Sequence, residues 1–119
     1  MIEKVKEKFY KGGEKMITIG NLKSEVKKRL KTFQLGNVLE ITTYKRNRGI
    51  VIVKIEEEVF SFKEFGYEVL SVEHIGLEEL LKLIQKRAKV EFPRSQQIRL
   101  YTHDSLEAHL ISENIAIRI

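Results

Sequence analysis

The densest group of side chains able to do chemistry is Tyr44-Lys45-Arg46-Asn47-Arg48, which places three cations, an amide and a phenol within five residues. Ammonium and guanidinium groups bind phosphate oxygens, an amide reaches a base edge or the backbone, and an aromatic ring stacks on an exposed base. A second positive group stands at Lys23, Lys27 and Lys31, repeating every four residues and joined by Lys28 and Arg29, with only Glu25 opposing it. At 3.6 residues per turn this spacing lines one flank of a helix with positive charge. Together, the two groups predict an electrostatic footprint for nucleic acid, RNA somewhat ahead of DNA. Contacts would go mostly to phosphates, giving weak sequence preference and strong salt dependence. A charged turn that only keeps a hairpin soluble and discourages edge pairing would read the same way at the tip.

Other reactive side chains give less. His103-Asp104 and His109, with Glu107 between, invite a metal or general-base reading, but His103 precedes a helix cap and His109 lies inside the helix. They are therefore not an i, i+4 pair on one face, and an Asp104 cap with surface histidines explains the same residues. His74 falls in a strand with no evident partner. Glu56-Glu57-Glu58 and Glu73 supply carboxylates for a metal-dependent nuclease, a weaker alternative, because Lys54 lacks the Glu-x-Lys arrangement such a site uses. Gly12-Gly13-Glu14-Lys15 is too short for a phosphate loop. With no cysteine, disulfides, thiolate nucleophiles and Cys-based metal sites are excluded. No catalytic residue, metal site or cofactor is expected.

Net charge is +5, but it is unevenly distributed: residues 1–54 hold 14 Lys/Arg against 5 Glu, and the remaining residues hold 8 Lys/Arg against 12 Asp/Glu. The basic part calls for an anionic partner, nucleic acid first. The same asymmetry fits a second class of function, a homodimer or accessory domain in which the basic part docks an acidic surface of another copy or protein. The N-terminus lacks the apolar run of a signal peptide and no stretch is long enough to span a membrane, so a cytoplasmic location is expected. Lys/Glu enrichment, one Asp and one Pro lean towards a thermophile composition.

At 119 residues the chain is sized for one core. Residues 1–15 read as a basic segment, a short helix or a loose tail, and 16–119 as a single α+β domain. Met16 to Ile19 predicts a strand. Asn21 caps a helix whose Leu22, Val26, Leu30 and Phe33 form an apolar stripe, with Gly36 ending it. Val38–Tyr44 and Ile50–Ile55 predict a hairpin closed by the basic tip, with Asn47 and Gly49 giving the positive φ angles of the turn and the second strand central in its sheet. Val59–Phe62 and Tyr67–Ile75 follow as one or two strands. Gly76-Leu77 opens a second helix that Pro93 stops; its Glu78 and Glu79 in the first turn and Lys86, Arg87 and Lys89 in the last suit the helix dipole. Gln97–Thr102 predicts a strand, Asp104 to Ser112 a short helix, and Ile115, Ile117 and Ile119 a final strand. The expected architecture is a mainly antiparallel sheet with helices on one face.

This order of elements bears two fold-level likenesses. Helix, three strands and helix is similar to double-stranded-RNA-binding domains, yet Gly76-Leu77-Glu78-Glu79 is acidic where phosphate would be gripped. It is also similar to the restriction-endonuclease-like core, whose carboxylate and lysine pattern is missing here. Neither names a family, because fold order alone is analogy.

Overall fold

The computed structural model describes residues 14–43, 45, 47–93 and 97–105. Strand β1 (Glu14–Thr18) leads through one 3-10 turn (Ile19–Asn21) into helix α1 (Leu22–Leu30). Strands β2 (Val38–Thr42), β3 (Gly49–Glu56), β4 (Val59–Phe65) and β5 (Leu70–Gly76) then meander. Helix α2 (Leu77–Glu91) crosses back to strand β6 (Gln97–His103). All six strands form one antiparallel sheet in the order β1-β6-β2-β3-β4-β5. A single α+β domain with both helices on one side of the sheet is what the hydrophobic pattern requires.

The layer between helices and sheet is where the periodicities meet. Leu22, Val26 and Leu30 repeat every four residues on α1, while Leu80, Leu81, Ile84 and Ala88 line α2. They close over Leu39 and Ile41 of β2, Ile50 and Ile52 of β3, Phe60 and Phe62 of β4, and Ile98 and Leu100 of β6, all buried. Each of the Leu, Ile, Val and Phe side chains contributes about 1.5–3 kcal/mol by leaving water. The central strands are β2 and β3, as the apolar run of β3 predicts; β2 is the one buried along its whole length.

Several local expectations are corrected. The first strand starts at Glu14, not Met16, so Glu14 and Lys15 belong to the sheet. Helix α1 ends at Leu30, and Phe33 completes the apolar stripe from the connection, where the Gln34 amide donates to Asn37 Oδ1 (2.8 Å). Asn21 stands at the N-cap position without a side-chain bond; instead the Ser24 hydroxyl donates to its carbonyl (3.1 Å). Gly36 does take a left-handed φ of +88°, but in the loop, not as the helix cap. Gly49 takes no positive φ. It is required because a Cβ would come within 2.6 Å of the Ile41 carbonyl and 2.9 Å of Phe65. The short helix to Ser112, the strand 115–119 and residues 1–13 of the basic N-terminal segment lie outside the described residues.

The pairing register fixes which side chains share an end of the sheet. Thr42, Gly49, Phe65 and Leu70 lie at one end, with Thr18 and Gln97 beyond them across β6 and β1. Val38, Lys54, Val59, Gly76 and His103 lie at the other. Helix α1 therefore starts at the hairpin-tip end with Lys23 and finishes at the far end with Lys31; α2 runs the opposite way and finishes beside the tip.

Candidate nucleic-acid interface

Three lysines of α1 and Lys31 at its C-cap are named by the sequence, and the structure divides that helix into two flanks. On one flank Glu25 pairs with Lys15 (3.3 Å), and Arg29 turns inwards to donate to the Thr102 hydroxyl (2.7 Å). Burial lowers the Arg29 pKa, opposed by Glu25, as expected for a guanidinium serving as an internal strut. Both partners sit on β1 and β6. At 100° per residue, Lys23, Lys27 and Lys31 sweep the opposite flank, towards α2, with Lys28 on the outer surface. Among the described residues none of these four lysines forms an ion pair, and all but the half-buried Lys27 are exposed.

Across the helical layer, α2 carries Lys82, Lys86 and Lys89, all exposed and without an ion pair among the described residues. Sequence reasoning assigned Lys86 and Lys89 to the helix dipole and left Lys82 aside. What it could not see is that α2 packs against α1, so both sets share one outer surface. The signal that would have found them is the i, i+4 pair Lys82 and Lys86.

The hairpin tip is divided differently. Tyr44 and Arg46 lie outside the described residues. Lys45 is exposed, and Asn47 is tied locally to the Thr43 hydroxyl (3.1 Å). Arg48 is a clamp: its Nε donates to the Glu91 carbonyl at the end of α2 (3.0 Å), and its guanidinium lies 4.4 Å from the centroid of the Tyr67 ring. Its charge is committed to the fold.

Behind Arg48 is a carboxylate network. Glu64 and Glu91 are neighbours that influence each other's charge, and both are almost wholly buried. Arg87 forks onto Glu64 (2.5 and 3.0 Å) and also reaches Glu68. The Glu91 carboxylate accepts the backbone N–H groups of Tyr67 (2.9 Å) and Glu68 (3.0 Å). Burial pushes Glu64 above its ordinary pKa, against the pull of Arg87. Burial pushes Glu91 the same way, but the bonds from Glu64 and the two amides outweigh it and hold Glu91 low. Arg87 is held above its usual range by Glu64 and Glu68.

At the far end the sign reverses. An open cleft of about 550 Å³ is lined by Glu57, Glu58, Glu78 and Glu79 together with Lys31 and Lys54. Lys54 Nζ donates to the Phe33 carbonyl (3.1 Å), tying β3 to the α1–β2 connection. Glu78 and Glu79 occupy the first turn of α2, where the helix dipole favours them. Lys31 thus stands among carboxylates, apart from the tip. The tip and the helix flank come together at Lys23 and part at Lys31.

On the sheet face away from the helices, His103 is buried, not at the surface, and its Nε2 lies 3.1 Å from Glu40 Oε1. Tyr101 stacks on it with centroids 4.5 Å apart and planes 4° from parallel. Among the described residues no three His, Asp or Glu side chains are grouped to hold a metal, and no helix is long and apolar enough to cross a membrane. No protein-family model, curated protein or solved structure matches the chain.

Proposed function

We propose that this protein binds nucleic acid through the outer surface of its helical layer, with Lys23, Lys27 and Lys28 of α1 and Lys82, Lys86 and Lys89 of α2 contacting phosphates and Lys45 extending the surface at the tip. The observation that carries this reading is the absence of counter-ions: among the described residues none of these lysines has a carboxylate partner, while Arg29 and Arg48 are bonded within the fold. Unpaired positive charge on one surface repels itself and gains most from a polyanion, whose condensed counter-ions are released on binding.

Fluorescence anisotropy with labelled single-stranded and duplex RNA and DNA tests this. The expected result is binding at about 50 mM salt whose logarithmic affinity falls linearly with the logarithm of salt concentration. Failure to bind any of the four at that salt would overturn it.

A second reading, association of two copies, is favoured by the acidic far end, which complements the basic surface. Light scattering across a salt series separates the two: salt-sensitive dimerisation lost on replacing Glu57, Glu58, Glu78 and Glu79 with Gln supports association.

A further inference from the structure

We infer that Tyr67 is a stacking platform for an unpaired nucleobase, so that the preferred ligand is a single strand. The inference rests on the phosphate-binding reading above and names the form of nucleic acid that the same end of the molecule takes.

Tyr67 lies in the turn between β4 and β5 and is 62% exposed. Most of its surface is therefore open to a partner. Yet the residue is held in place from three directions. Its backbone N–H is bonded to the buried Glu91 carboxylate, the next amide to the other oxygen of the same group, and its ring is backed by the Arg48 guanidinium. Gly66, at φ +135°, lets the turn pass against Arg48 so closely that a Cβ would lie 2.7 Å from Arg48 Cγ. The ring is therefore preorganised, and little rotamer entropy remains to be lost when a base stacks on it. Arg48 acts as a positioning residue for the ring. The guanidinium behind it withholds one face from solvent without covering the residue.

The neighbourhood suits a strand. The register puts the β4–β5 turn at the same end as Lys45, and α2 brings Lys89 there in its last turn. A base on Tyr67 would have its flanking phosphates beside these two ammonium groups. Paired bases in a duplex offer no free face to such a ring; an unpaired base does.

The test compares a single-stranded RNA oligomer with an abasic strand of equal length and phosphate number. The wild-type protein is expected to bind the base-bearing strand about 5- to 100-fold more tightly. Tyr67→Ala should erase that difference while leaving affinity for the abasic strand unchanged, and Tyr67→Phe should keep it. Equal wild-type affinity for both strands would overturn stacking and leave phosphate binding standing. No affinity for either would remove both readings. Base-dependent affinity retained in a folded Tyr67→Ala protein would show that stacking occurs elsewhere and overturn the assignment of Tyr67. The wild-type comparison needs no variant, so a misfolded Tyr67→Ala cannot shield the idea.

Discussion

The hairpin tip and helix α1 are the two basic clusters of this molecule, and along the chain they look equivalent. In three dimensions they differ in what surrounds each cation. Arg48 has a carbonyl and an aromatic ring as partners and sits against a buried carboxyl pair. Lys23, Lys27 and Lys28 have no ionic partner among the described residues. The difference teaches that positive charge becomes available for binding only where the fold leaves it uncompensated. An arginine's planar fork suits several fixed partners at once, whereas a lysine on a solvated helix surface keeps its charge for a ligand.

Breaking the clamp should give the largest effect. Gly66→Ala forces a side chain into a backbone region that L residues avoid and drives its Cβ into Arg48 and Glu91, so stability should fall by about 3 kcal/mol or more. Urea unfolding measures it; a loss below about 1 kcal/mol would show that the turn adapts and that the tip is not locked.

The helix should answer in the opposite way. Replacing Lys23, Lys27 and Lys28 together with Gln should weaken nucleic-acid binding on the order of 10- to 100-fold and flatten the salt slope. Unfolding stability should stay within about 0.5 kcal/mol. A matching loss of stability would erase the distinction between the two clusters.

Arg48→Ala should cost about 1–3 kcal/mol through the lost charge-assisted bond and ring contact, with Arg48→Lys failing to restore it. Chemical unfolding of both variants decides it, and full rescue by Lys would mean that only the charge matters.

The carboxyl pair behind the clamp sets a smaller, pH-dependent effect. Glu91 is held low, so its contribution is present above the ordinary glutamate value of 4.5 and is lost as pH falls through its folded pKa. Glu64 is held high, so the stability its proton lends is present below 4.5 and is lost as pH rises through its folded pKa. Melting temperature should therefore decline on the alkaline side of that folded value, and Glu64→Gln should flatten the decline. An unchanged alkaline limb in the variant would mean that Glu64 does not govern it.

The fold was largely legible in the chain because its signals are local. Leu22, Val26 and Leu30 at four-residue spacing, the apolar run of β3 and the alternation of Ile98 and Leu100 each state a period, and a period states an element. Placement of β6 between β1 and β2 was not legible: the crossing through α2 frees that strand from its neighbours in sequence, and only the packed sheet chooses its place. Of the proposed surface, the lysine repeat on α1 is legible along the chain, whereas the nearness of Lys82, Lys86 and Lys89 depends on two helices meeting.

What the sequence by itself determined is the α+β class, the two helical faces and the surplus of positive charge, since composition and periodicity are properties of neighbours along the chain. Only the tertiary structure decided which charges are spent. Arg48 meets Glu91 and Tyr67 from segments 43 and 19 residues away, Arg29 meets Thr102 across 73, and a cation's availability depends on the distance to its nearest acceptor in space.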